Sequence, residues 1–399
     1  MSNKTQEILD LYRAKVMPTY KPSVVVASGK GIAVRDVDGH SYYDFTSGIG
    51  VHNVGHCHKK VVEAIQSQAA ALTHASNLFA NAPATLLADK LVEISGLGGK
   101  VFFCNSGAEA NEAAIKLARK WGSANGGRYE VVTMRQGFHG RTLATLAATA
   151  QAWCQEGYDP LPVGFAYADF NDIESVKAAV NDKTVAVMLE AVQGEGGVTP
   201  ATEEFMKGVR ALCDERNLLM ICDEVQCGMG RTGTWFAWQG YGVKPDLFTC
   251  AKALADGIPM GALVSNAALA DVFTASSHAS TFGGNPVAAA AANAVISVIE
   301  EEGLLENAVK MGELLSEALR GFVDTYDKLL EVRGKGLLIG LVVDGEAAPI
   351  VAELQKQGVL ALSAGKSVVR FLPPLTLGEE DLEDAVEMIS FALEAVLGS

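Results

Sequence analysis

The chain has 399 residues, 49% of them hydrophobic and 20% charged, with a formal net charge of −15. An acidic surface of that size disfavours nucleic acid or an anionic membrane as a partner, and it means that an anionic substrate needs locally placed arginines. The seven cysteines are scattered, the N-terminal segment has charges throughout and no apolar signal core, and the longest apolar run, Pro286–Ile299, is too short to span a bilayer, so a cytoplasmic protein is expected.

After an N-terminal helix, short strand-like pieces at Val24–Val26, Ile32–Arg35 and Ser41–Asp44 alternate with turn residues such as Asp38-Gly39. Helical periodicity follows at Val61–Ala71 and Ala84–Ile94. Apolar strands then recur at Val101–Cys104, Tyr129–Met134, Val185–Glu190, Leu218–Asp223 and Leu247–Ala251. Helical stretches such as Glu109–Arg119 and Glu203–Arg216 lie between them. This alternation predicts an α/β fold with a mainly parallel sheet covered by helices on both faces. From Pro286 the chain is helix-rich, passes through strands at Leu337–Val343 and Val368–Phe371, and ends on a helix at Glu379–Leu397. The expected organisation is a large domain over residues 60–285 and a smaller α+β domain built from 1–59 and 286–399.

Open parallel sheets bind ligands at the carboxyl ends of their strands, and three segments there carry chemistry. In NSGAEANEAAIKLAR, a tight turn leads into a helix whose Ser106 and Glu109 have capping-box spacing, leaving an N-terminus that suits phosphate or simply a well-capped helix. Asp223 ends an almost wholly apolar strand, where an ionised acid needs a cationic or hydrogen-bonding partner: a protonated pyridine nitrogen would be one, and a structural ion pair is the alternative. Lys252 ends the next one. There it has either a covalent role or a buried stem with its head in solvent. Gly228–Gly233 satisfies G-x-G-x-x-G but leads into no clear helix, so a nicotinamide-dependent dehydrogenase fits poorly. Gly365-Lys366-Ser367 ends like a P-loop but lacks the first glycine, because Leu360 stands there. The histidines at 52, 56 and 58 with Cys57 match no zinc spacing, so no metal is expected.

Taken together the chain resembles the class III (ornithine-type, subgroup II) aminotransferases of fold type I, which use pyridoxal 5'-phosphate (PLP). The resemblance runs in order through GHCH at 55–58, NSGAEANEAAIKLAR at 105–119, FHGRT at 138–142, QGEGG at 193–197, DEVQ at 223–226, AK at 251–252, STFGGNP at 280–286 and RFLPPL at 370–375. It implies a large domain with a seven-stranded-type, mainly parallel sheet. It also implies that Ser106, Gly107 and Ala108 hold the PLP phosphate, Phe138 and Val225 flank the ring, Asp223 pairs with the ring nitrogen, Gln226 lies near the phenolic oxygen, and Lys252 carries the Schiff base. Thr281 would reach the phosphate in the neighbouring subunit, which implies a homodimer with shared active sites. Arg370 would bind the α-carboxylate of 2-oxoglutarate, Arg141 the distal one, and Glu195 would screen Arg370 while an ω-amine reacts.

Within the family the acetylornithine branch is expected. Ile49 stands where ornithine δ-aminotransferases typically place a tyrosine that contacts the free α-amino group, and Ser280 with Arg141 would help hold an acylated donor. Succinylornithine and succinyldiaminopimelate are related donors; 4-aminobutyrate or ornithine is the alternative, and a non-catalytic relative is the alternative of another class. The sequence departs from the family pattern at Lys59, Ala191 and Asp256.

Overall fold

The computed structural model describes residues 4–398. Near the N-terminus, strands β1 (Val26–Lys30), β2 (Ala33–Asp36) and β3 (Ser41–Asp44) form an antiparallel meander. Helices Lys59–Ala71 and Ala82–Ser95 follow, the second capped by Asn81, whose side chain accepts the Ala84 N–H. The chain then runs through β4 (Gly98–Cys104), β5 (Glu130–Met134), β6 (Phe165–Ala168), β7 (Thr184–Glu190), a two-residue ribbon of β8 (Val192–Gln193) with β9 (Thr199–Pro200), β10 (Leu219–Asp223), β11 (Leu247–Cys250) and β12 (Gly261–Asn266).

All of the strands from β4 to β12 except the ribbon form one sheet, in the order β4-β12-β11-β10-β7-β5-β6. The inner pairs are parallel, while β12 runs antiparallel to both of its neighbours, β11 and β4. Every residue of β7, β10 and β11 is buried, which explains their continuous apolar sequence: helices cover both faces of a parallel sheet, so no face is left for polar alternation. Sequence periodicity finds five of the seven strands and misses β6 and β12. β6 has only four residues, and nothing in an apolar run such as β12 encodes the direction in which it pairs.

A second sheet joins β13 (Leu329–Lys335), β14 (Leu338–Val343), β17 (Val368–Phe371) and β16 (Leu362–Ala364). The intervening β15 (Val359–Leu360) pairs in parallel with β3, so the N-terminal meander is completed by a strand from the far end of the chain. The alanine-rich run is the helix Pro286–Glu301, packed against Lys59–Ala71 and Ala82–Ser95. Among the described residues no helix is long and apolar enough to cross a membrane.

The Gly228–Gly233 segment forms turns and leads into a short 3₁₀ helix at Ala237–Tyr241. Its Arg231 is fully buried and donates to the carbonyls of Leu337 and Pro373 and to Asn53 Oδ1. In the histidine-rich turn each imidazole faces a carboxylate, His56 that of Asp44, His58 that of Glu302 and His52 that of Asp256. Asp256, one of the departures from the family pattern, is buried and also accepts the Val54 N–H at 3.2 Å.

Candidate active site

The sheet register aligns the carboxyl ends of three adjacent strands, with Asp223 opposite Glu190 on one side and Thr249 on the other. Asp223 is buried, and its Oδ2 accepts from Asn111 Nδ2 at 2.7 Å and pairs with His139 Nδ1 at 2.8 Å. Oδ1 accepts the Val225 N–H at 3.0 Å. Thr249 Oγ1 donates to Asn111 Oδ1, which orients that amide so that its NH₂ faces the carboxylate. Burial opposes a charge on His139, yet its bond to Asp223 wins and holds its pKa above the usual histidine value. The carboxylate is thereby oriented by three donors and kept as an acceptor.

Beyond β4 the helix Gly107–Ala124 begins. Ser106 Oγ accepts the Glu109 N–H, while Glu109 reaches back to the Asn105 N–H rather than to that of Ser106, a variant of the expected capping box. The N–H groups of Gly107 and Ala108 have no partner among the described residues, so the positive end of the helix is available to an anion. Gly107 is required by packing, because a Cβ there would lie 2.7 Å from Val225 Cγ1.

Lys252 follows β11 in a left-handed backbone conformation, φ 46°, unusual for a residue with a side chain. Its amine makes no hydrogen bond or ion pair among the described residues, and burial lowers its pKa to about 8. Arg370, on β17, is also buried and donates to Glu195 Oε1 at 2.7 Å, to Gln226 Oε1 at 3.0 Å and to the Gly194 carbonyl at 3.0 Å. Burial works against the Glu195 carboxylate, but Arg370 beside it brings its pKa below the ordinary value. Burial raises the Glu190 carboxyl to about 7, with His139 and the N–H groups of Phe138 and Gly194 opposing the rise.

A cavity of about 250 Å³ brings together Gly107, Ala108, Phe138, Arg141, Glu195, Asp223, Val225, Gln226 and Lys252. Arg141 stacks on Phe138 and on Trp153, 5.4 and 5.0 Å from the ring centroids. Ser106 sits at the cavity's edge as the helix cap, and Arg370 reaches it through Glu195 and Gln226. Three other expected residues lie outside. Ile49 is partly exposed on the Ser47–Gly50 turn, whose Gly50 abuts Gln226. Ser280 bonds Asn105 at 3.3 Å, and Thr281 is exposed on a separate surface depression with Phe103 and Asn77. Sequence reasoning passed over Asn111, His139 and Glu190, which also line the cavity. The signals were available: Asn111 is one helical turn beyond Ser106, His139 lies within FHGRT, and Glu190 ends an apolar strand just as Asp223 does.

These groups suit PLP: a carboxylate fixed by three donors, an unpartnered amine, apolar walls from Phe138 and Val225, and a free helix N-terminus. The family model for aminotransferase class III matches residues 16–393. The chain belongs to the class III aminotransferases. These enzymes use PLP. This aminotransferase is 49% identical to the acetylornithine aminotransferase of Methanocaldococcus jannaschii, over 92% of each chain. It is 46% identical to that of Caldanaerobacter subterraneus subsp. tengcongensis, over 96% of this chain and 98% of the relative. Among solved structures it resembles the ornithine aminotransferase of Toxoplasma gondii ME49, with TM-score 0.95 and 32% identity over 98% and 95% of the two chains. The N-acetylornithine aminotransferase of Stenotrophomonas maltophilia K279a matches with TM-score 0.85 and 36% identity over 97% and 98%.

Proposed function

We propose that the enzyme moves the terminal amino group of N2-acetyl-L-ornithine to 2-oxoglutarate, giving the semialdehyde and L-glutamate, in arginine biosynthesis. The observation that carries this reading is the pair of buried Arg370 with half-buried Glu195, near the unpartnered Lys252 amine. A site that must accept both an ω-amine without a nearby carboxylate and an α-keto dianion needs a cation that can be masked and unmasked. The names of the relatives favour the acetylated donor, and the apolar Ile49, next to the Gly50 that abuts Gln226, agrees with a donor that has no free α-amine.

In this reading Ser106, Gly107 and Ala108 hold the cofactor phosphate, Phe138 and Val225 flank its ring, Asp223 holds the ring nitrogen protonated and Gln226 lies near its phenolic oxygen. PLP, when bound, supplies the electron sink for charge that develops at the amine-bearing carbon. Lys252 acts as the base that takes the proton from that carbon, and a lowered pKa keeps part of its amine neutral for the task. Glu195 masks Arg370 while the donor reacts. When 2-oxoglutarate arrives, Glu195 leaves and Arg370 takes the α-carboxylate, while Arg141, pinned between Phe138 and Trp153, takes the distal one. Ser280 and Thr281, outside the single-chain cavity, are assigned to an active site shared across a homodimer, with Thr281 on the neighbour's phosphate. The chain is placed in the cytoplasm, with domains over 60–285 and over 1–59 with 286–399.

Single-turnover rates for acetylornithine, succinylornithine, ornithine and 4-aminobutyrate test the donor. Acetylornithine should react fastest; a wide lead for 4-aminobutyrate or ornithine would overturn the assignment.

A further inference from the structure

Glu190 ends β7 inside the cavity, yet none of the roles above uses it. Its two carboxylate oxygens bind two different loops. Oε1 accepts the Phe138 N–H at 2.9 Å, and Oε2 accepts the Gly194 N–H at 3.3 Å. Gly194 is also the residue whose carbonyl, in the following peptide group, accepts from Arg370, and the next residue, Glu195, is that arginine's ionic partner. A Cβ at Gly194 would fall 1.9 Å from Gln226 Oε1, so the glycine lets that amide lie against the backbone. One buried carboxylate therefore ties the backbone of the ring-flanking Phe138 to the base of the Glu195–Arg370 pair.

We infer that Glu190 is a positioning residue for the Arg370 gate: by fixing the Gly194 peptide it lets the Glu195 side chain leave while the guanidinium stays aimed into the cavity. The inference rests on the proposed dicarboxylate reading of Arg370. When Glu195 swings away, Arg370 loses its strongest partner and keeps the Gly194 carbonyl and Gln226 Oε1. Both of those acceptors are held against the Gly194 peptide, so its anchorage decides how well the freed cation is aimed. The donor half-reaction makes no such demand, because Glu195 then remains in place.

The test compares the PLP-loaded wild-type enzyme with Glu190→Gln. Glutarate serves as an unreactive dicarboxylate probe, and each half-reaction is also measured separately. A glutamine can accept one of the two N–H groups but presents its own NH₂ to the other. Glutarate affinity, read by calorimetry, should fall about tenfold, the loss of roughly one charge-assisted hydrogen bond. KM for 2-oxoglutarate should rise in step, while KM for the amine donor changes by less than about threefold. Glu190→Asp keeps the charge but is one methylene too short to span both loops, and it should move glutarate affinity the same way; it carries the test if the glutamine variant does not fold. Unchanged glutarate affinity in both variants, or equal losses in the two half-reactions, would refute the gate-positioning role. A wild-type enzyme that neither binds glutarate nor accepts 2-oxoglutarate would instead remove the dicarboxylate reading and the Glu190 role with it.

Discussion

Lys252 offers the most direct quantitative test. Burial lowers its pKa from 10.5 to about 8, with Glu195 opposing the change and Arg370 adding to it. Such a depression corresponds to about 3 kcal/mol against the charged form. At pH 7.5 roughly a quarter of the amine is then neutral, against roughly one part in a thousand for an ordinary lysine, a gain of about 200-fold in available base. The cofactor-free protein can be reductively methylated with ¹³C-formaldehyde and the Lys252 resonance, identified by its loss in Lys252→Arg, titrated by NMR. The midpoint should fall near 8. It should drop further in Glu195→Gln, which removes the opposing anion, and rise in Arg370→Met. The folding linkage has a definite sign: between the folded and unfolded values the unfolded chain binds more protons, so stability of the cofactor-free protein rises with pH across that window. A midpoint at 10 or above, unmoved by either substitution, would refute the argument that the amine is desolvated and unpartnered.

Other outcomes follow from the same geometry. Arg370→Met should raise KM for 2-oxoglutarate about 30-fold, corresponding to about 2 kcal/mol of lost carboxylate contact, with a smaller effect on the donor half-reaction; steady-state kinetics with each substrate varied reads the difference. Asp223→Asn places an amide where Asn111 and His139 need an acceptor and leaves the ring nitrogen without its anion, so kcat should fall about 100-fold or more, measured with saturating substrates. Gly107→Ala pushes a methyl into Val225, an overpacking cost of about 1–3 kcal/mol, and should weaken PLP binding about tenfold or more in a fluorescence titration.

Much of this site was legible in the sequence because its chemistry is local. Asp223 and Lys252 each end an apolar strand, and adjacent parallel pairing of β10 with β11 brings them together. The cap at Ser106 was equally visible, although Glu109 uses a different N–H from the expected one. The Arg370–Glu195 pair was not readable from periodicity, since 175 residues separate the partners and only family resemblance joined them. Glu190 offered the same strand-end signal as Asp223 and was overlooked, while its two partners, backbone N–H groups, leave no side-chain pattern to detect. The antiparallel insertion of β12 escaped for a similar reason, as strand direction depends on the path of the connecting loop. Ser280 and Thr281 mark a different boundary, because the role proposed for them across a dimer cannot be read from the contacts of one chain.

The pairing of β3 with β15 has a consequence for how the molecule is made. The N-terminal meander leaves the ribosome first, yet one of its edges stays open until residues 359–360 emerge. During most of synthesis this edge exposes unpaired backbone groups, the kind of surface that invites pairing with another chain. Arrested chains that stop before β15 should therefore be much more prone to aggregate than those that stop just after it.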